Sequence, residues 1–126
     1  MVNNPYNSSL EDFIMYNRAT IISEIATTRD KKNLLERGLK IGEEVGELQR
    51  AILILNKSNG MKYRNQLGDE GVLEEIADVV MLSLSMLPYI NKNYKDLLKM
   101  IDYKTIKWIN SLDKEDNTNA EASSND

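Results

Sequence analysis

The chain has 126 residues, a net charge of −4 and a pI of about 4.9, which suit one acidic domain and argue against a nucleic-acid-binding surface. It contains neither cysteine nor histidine, which excludes disulfides, thiolate zinc sites, a cysteine nucleophile and a serine–histidine triad. Any chemistry must therefore use carboxylates, lysines, hydroxyl groups or a metal ion.

Two capping boxes predict where the first two helices begin. In a capping box, a polar residue at the helix start is paired with a glutamate three residues later. The pairs are Ser8 with Glu11, ahead of a helix over about 9–27, and Asn33 with Glu36, ahead of a helix over about 34–56. Apolar residues recur at helical spacing in both segments.

Residues 57–71 are rich in Asn, Gly, Lys and Asp and are predicted to form a loop. A third helix is expected over about 72–87, with Pro88 ending it. Beyond Asp78 this helix is almost continuously apolar, and a helix that is apolar on every side is buried on every side. One four-helix chain does not easily cover it, so a second copy of the chain is expected to do so.

A fourth helix is predicted over about 94–112, with Asn93 as its cap. The remaining residues, 113–126, are polar without an apolar period and are predicted to be disordered. The sequence thus predicts a single all-α domain over 1–112, a four-helix bundle-like protomer whose core is completed by oligomerisation into a homodimer or homotetramer. No segment has the features of a signal peptide or a bilayer-spanning run, so a cytoplasmic location is expected.

Two acidic clusters are the main candidates for a functional site. The first is Glu43-Glu44-Val45-Gly46-Glu47 and the second is Glu74-Glu75-Ile76-Ala77-Asp78. Residues three or four apart share a face of a helix, so each cluster forms one acidic stripe. A helical hairpin folded about residue 61 would set Glu47 beside Glu75 and Glu44 beside Asp78. Four converging carboxylates form an environment that favours hard divalent cations such as Mg²⁺.

An acidic stripe also has a simpler interpretation as a solvated helix face. That interpretation suits residues 43–47 taken alone. It suits the second cluster less well, because Glu75 and Asp78 open the most apolar helix of the chain. A carboxylate that is buried without a partner is very costly, so such groups are usually paired or bound to a metal ion.

The two clusters resemble the signature of the MazG-like all-α NTP pyrophosphohydrolases, which are related to dimeric dUTPases. That signature is Glu-Glu-x-x-Glu, a spacer, and then Glu-x-x-Asp. Here it reads EEVGE, 27 intervening residues, and EIAD. The flanking segments GLKIGEEVGEL and LEEIADVVMLSL are similar to the second and third helices of the family. The resemblance covers residues 34–88 well, and the first and last helices only by helix count.

The resemblance implies an enzyme that cleaves a nucleoside triphosphate, either NTP or dNTP, between the α and β phosphates. It assigns Glu44, Glu47, Glu75 and Asp78 as ligands of Mg²⁺, with Mn²⁺ as an alternative. Glu43 and Glu44 are the candidate catalytic residues, Glu43 by orienting the attacking water. A triphosphate is strongly anionic, so bridging cations are needed between it and an acidic pocket.

Lys104 and Lys107 lie one turn apart on the fourth helix and are the candidates for binding the substrate phosphates, since relatives carry basic residues there. A solvated basic face is the competing interpretation. Two other functions stay open at this point: a non-catalytic helical protein that binds a basic partner through its acidic face, and a nucleotide-binding sensor. The expected partner is a nucleoside triphosphate, with neither nucleic acid nor membrane.

Overall fold

The computed structural model describes residues 10–56 and 64–124, and the side chains of 64–67 lie outside this description. The described residues are 93% helical and contain no strand, which confirms the all-α prediction. Four α-helices follow one another along the chain: α1 Leu10–Ile25, α2 Leu34–Leu55, α3 Arg64–Met86 and α4 Tyr94–Ser124. No helix within the described ranges combines the length and apolar character that a membrane crossing requires.

The start of α2 is the predicted capping box. Asn33 Oδ1 accepts a hydrogen bond from the backbone N–H of Glu36 at 2.8 Å, and the Asn33 N–H donates to Glu36 Oε1 at 3.4 Å. Two of the N–H groups that lack a partner inside the helix are satisfied in this way. The other predicted box begins at Ser8, which lies outside the described residues.

A π-turn over Ala26–Asp30 separates α1 from α2. The hydroxyl groups of Thr27 and Thr28 donate to backbone carbonyls of the last turn of α1, an interaction that competes with regular helical bonding. The turn ends at Lys31, whose positive φ of 58° reverses the chain. The predicted first helix over 9–27 therefore runs into a widened turn that the sequence pattern did not indicate.

Helix α3 begins earlier than predicted and contains a kink at Gly68, where φ is 34° and ψ is −156°. A positive φ is readily available to glycine, so Gly68 separates a first turn from the rest of the helix. The α3 segment is followed by a 3₁₀ turn over Leu87–Ile90, with Pro88 in its first turn as the sequence suggested. Residues 64–71, which were predicted to be loop, are thus helical apart from Gly68.

The chain divides into two compact units, Met1–Tyr94 and Lys95–Asp126. In the first unit, α2 packs most extensively on α3, and α1 also contacts α3. The core of this unit consists of small and aliphatic side chains, namely Ala19, Ala26, Ala51, Ile54, Leu84 and Leu87.

The second unit is the helix from Lys95 onward, which continues to Ser124. The prediction that disorder begins at residue 113 differs from this structure, in which 113–124 is helical. Neither glycine nor proline occurs between Lys95 and Ser124, so nothing in the backbone stops the helix. The absence of an apolar period indicates that this part of α4 is solvated, and a solvated segment without breakers is still able to be helical.

Candidate metal centre

The two acidic clusters lie on the facing sides of α2 and α3. Glu44 and Glu47 are three residues apart on α2, and Asp78 and Glu75 are three residues apart on α3. Because the two helices run in opposite directions, the same spacing on both places Glu47 near Glu75 while Glu44 lies near Asp78. The hairpin thereby joins two stripes that are separated by 27 residues in the sequence.

Glu44, Glu75 and Asp78 form a carboxylate triad. Each contributes one oxygen, and these oxygens all lie within 4.8 Å of one another. Oxygens on opposite sides of an octahedral Mg²⁺ are about 4.2 Å apart, twice the usual Mg–O distance. Small side-chain movements would therefore bring the triad to the distances that a divalent cation requires. Glu44 and Glu75 are partly buried and Asp78 is exposed, so one side of the triad is open to a ligand.

Glu47 adjoins the triad through Glu75. The pKa of Glu75 is raised above its ordinary value, first by burial and then by the charges of Glu47, Asp78 and Glu44, with a further contribution from a hydrogen bond to Glu47. Three acids, Glu47, Asp78 and Glu44, therefore act on Glu75. Like charges this close favour protonation of one of them, or binding of a cation between them.

Two carboxylate oxygens in the triad are buried without a hydrogen-bond partner among the described residues, Glu44 Oε2 and Glu75 Oε2. An acceptor that is buried and unpaired costs about 1–3 kcal/mol, and more when it is charged. A cation is the natural complement of two such oxygens. The donor set, made of oxygens alone, fits a hard ion such as Mg²⁺ or Mn²⁺.

Lys40 is the cation at the edge of the triad. Its Nζ lies 3.1 Å from Glu43 Oε1 and 3.5 Å from Glu44 Oε1. The pKa of Lys40 is raised, chiefly by the hydrogen bond to Glu43. Glu43 thus faces Lys40, one step outside the triad, and its side chain is largely exposed. This lysine partly neutralises Glu44 and leaves the buried oxygens of Glu44 and Glu75 unpaired.

Lys104 and Lys107 lie on α4, in the second unit. Both side chains are exposed and are separated by one helical turn, as the sequence spacing requires. Lys104 lies on the same exposed face of α4 as Trp108, one turn away. The indole of Trp108 is exposed, at 67% of its full accessibility.

Arg37 is a buried residue near the site that was not predicted from the sequence. Its side chain is only 3% exposed, and its guanidinium donates to the hydroxyl of Ser85 on α3. It lies seven residues before Glu44, which places both on the same face of α2. The sequence does contain a signal for it, because Arg37 falls on the apolar, core-facing side of α2. Charged residues are rarely buried unless they are paired, so an arginine at such a position indicates a buried partner.

The raised pKa of Glu75 predicts a specific pH dependence of stability. Between its ordinary value of 4.5 and its raised value, the folded protein retains a proton that the unfolded chain loses, so the free energy of unfolding falls as the pH rises. With EDTA present, Glu75→Gln should be more stable than the native protein above this window and gain nothing below it. Urea unfolding at a series of pH values measures the difference.

Glu74→Gln is the matched control for this experiment, because Glu74 is an exposed neighbour outside the triad. It should change the stability little at any pH. A Glu75→Gln variant with the same pH profile as the native protein would contradict the crowding of acids around Glu75.

Comparisons of the chain with protein-family models, with curated proteins and with solved structures found no match.

Proposed function

We propose that this protein is a Mg²⁺-dependent hydrolase that cleaves a nucleoside triphosphate between the α and β phosphates, giving a nucleoside monophosphate and pyrophosphate. The observation that supports this most is the facing arrangement of the two acidic motifs, with two buried carboxylate oxygens that lack a partner. The resemblance of the same motifs to the MazG-like signature supplies the substrate class and the bond that breaks.

Glu44, Glu47, Glu75 and Asp78 are the proposed ligands. When bound, the divalent cation supplies a bridge between these acids and the phosphates, neutralises their charge and activates water for attack. Without it the pocket would repel a triphosphate. Burial of Glu44 and Glu75 strengthens each electrostatic interaction at the site relative to bulk water.

Glu43 is the proposed group that orients the attacking water and accepts its proton. It is adjacent to the ligand Glu44 and exposed, so substrate and water are able to reach it. In the structure it is paired with Lys40, at 3.1 Å. Only Oε1 of Glu43 takes part in this pair, so its second carboxylate oxygen is the one proposed to accept the proton, while Lys40 stays between Glu43 and Glu44.

Lys104 and Lys107 remain the proposed phosphate-binding residues of α4. Two ammonium groups one turn apart are suited to an anion with several oxygens, such as the departing pyrophosphate. The support for this role is the resemblance, since relatives carry basic residues on the corresponding helix, and both side chains are exposed and accessible to an anion.

Hydrolysis in ¹⁸O-labelled water tests the proposed function. A panel of NTPs and dNTPs is incubated with the protein and Mg²⁺, and the products are identified by mass spectrometry. We expect label in the nucleoside monophosphate, which follows from attack on the α phosphorus. Label in pyrophosphate would instead place the attack on the β phosphorus, and release of orthophosphate would make the protein a phosphatase. A reaction without Mg²⁺ is the control.

The same panel separates the enzyme from the two other functions considered. Nucleotide binding with no product at any Mg²⁺ concentration would identify a sensor. Neither binding nor hydrolysis would leave the acidic face as a surface for a basic protein. Both outcomes would overturn the proposed reaction.

We further propose that a second copy of the chain covers the apolar surface of the first unit. Large apolar side chains are exposed on all three of its helices, for example Phe13 on α1, Leu39 on α2 and Met81 on α3. Exposed apolar surface on this scale is unusual in a monomer. Light scattering at low micromolar concentration should give the mass of a dimer or tetramer, and a stable, active monomer would contradict the proposal.

A further inference from the structure

One buried hydrogen bond joins the two helices that carry the acids. Arg37 Nη1 on α2 donates to Ser85 Oγ on α3 at 3.1 Å. Both residues are buried, at 3% and 5% of full exposure. The Ser85 hydroxyl donates in turn to the carbonyl of Leu82 at 2.6 Å, so its single proton is used within α3 and its oxygen is left to accept from Arg37.

The position of this bond matches that of the acids. Arg37 precedes Glu44 by seven residues, and Ser85 follows Asp78 by seven residues. Seven residues are two helical turns to within about 20°, so on each helix the hydrogen-bonded residue and the acid lie on the same face. The same alignment of the two antiparallel helices therefore forms both the Arg37–Ser85 bond and the triad. Seven residues separate the two contacts on α2 and on α3 alike.

Arg37 is itself held in place from the other side. Its Nε donates to the carbonyl of Lys32 at 2.9 Å. Its Nη2 donates to the carbonyl of Ala26 at 3.1 Å and also forms an ion pair with Asp30 Oδ2 at 3.0 Å. The ring of Tyr89 lies 5.0 Å from the guanidinium carbon, within range of a cation–π contact. A guanidinium fixed at so many points gives a directional bond to Ser85, which adds a polar contact of fixed geometry to the packing of α2 on α3.

We infer that Arg37 and Ser85 are positioning residues, which hold α2 and α3 in the axial register that a divalent cation needs at the triad. The inference depends on the metal centre proposed above. A slip of one residue moves a helix by about 1.5 Å, which is large against the short and nearly fixed Mg–O distance. Repulsion among the acids opposes this register whenever no cation is bound, so a contact outside the cluster must maintain it.

Ser85→Ala removes the acceptor of this bond with little change in volume. The matched control is Ser83→Ala, since Ser83 lies two residues earlier on α3 and its hydroxyl donates only within that helix in the described contacts, to Val79 at 2.7 Å. Tyr89→Phe is a second control. It removes a hydrogen bond from Tyr89 to Ala26 at 2.8 Å, in the same cluster, and leaves the Arg37–Ser85 bond intact.

The first measurement is the affinity for Mg²⁺ and Mn²⁺ by calorimetry, without nucleotide. Ser85→Ala should weaken binding by about 10-fold or more, the effect typical of losing a group that orients metal ligands. Ser83→Ala and Tyr89→Phe should stay within about twofold of the native protein, even if Tyr89→Phe lowers the unfolding midpoint as much as Ser85→Ala does. Equal cation affinity in Ser85→Ala and Ser83→Ala would overturn the inference.

The second measurement needs no metal ion. Because the chain has no cysteine, spin labels can be attached to Leu35→Cys on α2 and Glu70→Cys on α3, both at exposed positions, and their separation measured by pulsed electron resonance. With Arg37 opposite Ser85, these two positions are separated by roughly 25 Å along the helix axis at 1.5 Å per residue, so an axial slip changes their distance almost in full. Adding Ser85→Ala should broaden or displace the distance distribution by about 1.5 Å or more, the rise of one residue. An unchanged distribution would overturn the register role. A displaced distribution in a protein that binds no cation would uphold that role and reject the metal centre.

Discussion

Asp78→Asn and Glu47→Gln are each expected to reduce Mg²⁺-dependent hydrolysis by at least about 100-fold. Loss of a group that only orients a ligand already costs 10- to 100-fold, and these substitutions remove charge from proposed ligands themselves. The fold should survive, because Asp78 and Glu47 are exposed and each substitution relieves repulsion at Glu75. Steady-state kinetics with a Mg²⁺ titration measures the loss, and circular dichroism with EDTA follows the fold.

Glu74→Gln is the control for these two variants, since it removes one negative charge from the same helix at an exposed site outside the triad. It should retain nearly full activity. Full Mg²⁺-dependent activity in both Asp78→Asn and Glu47→Gln would reject the assignment of these residues as ligands. An increased stability of the metal-free variants would support the crowding of acids even if the substrate were of another class.

Arg37→Met is expected to lower the free energy of unfolding by about 3 kcal/mol. The substitution keeps an unbranched side chain but removes the buried charge and its hydrogen bonds to Lys32, Ala26 and Ser85, and breaking a buried charged network typically costs this much. Urea unfolding in the presence of EDTA measures the change independently of any metal ion.

Arg50→Met is the matched control, because Arg50 is an exposed arginine on the same helix. Its removal should change stability by less than about 0.5 kcal/mol, as is usual for surface positions. A loss below about 1 kcal/mol for Arg37→Met would mean that apolar packing holds this end of α2 and α3 together without the network.

Features that depend only on residues close in sequence, or on the geometry of a hairpin, could be predicted from the sequence. Asn33 and Glu36 lie three residues apart, so the capping box and the start of α2 follow from the sequence itself. The proximity of Glu47 to Glu75 also follows from simple geometry, because two helices joined in a hairpin bring equal distances from the turn together. Neither inference needed knowledge of the core.

Features that depend on tertiary contacts were not predictable in this way. The buried position of Arg37 requires acceptors that lie 5 to 48 residues away in sequence, on three different segments. The π-turn at Ala26 likewise depends on a carbonyl that accepts from Lys31, Arg37 and Tyr89. Residues 113–124 of α4 carry no apolar stripe, so hydrophobic periodicity, the main sequence signal of a helix, does not indicate this part of it.

The equal spacing along α2 and α3 restricts where insertions and deletions can occur without loss of either contact. Insertions or deletions in the segment that joins the two helices leave both seven-residue intervals intact, from Arg37 to Glu44 and from Asp78 to Ser85. A single deletion inside either interval rotates one contact by about 100° relative to the other, and only one of the two could then form. Homologous chains should therefore differ freely in the length of the connection while keeping both intervals at seven.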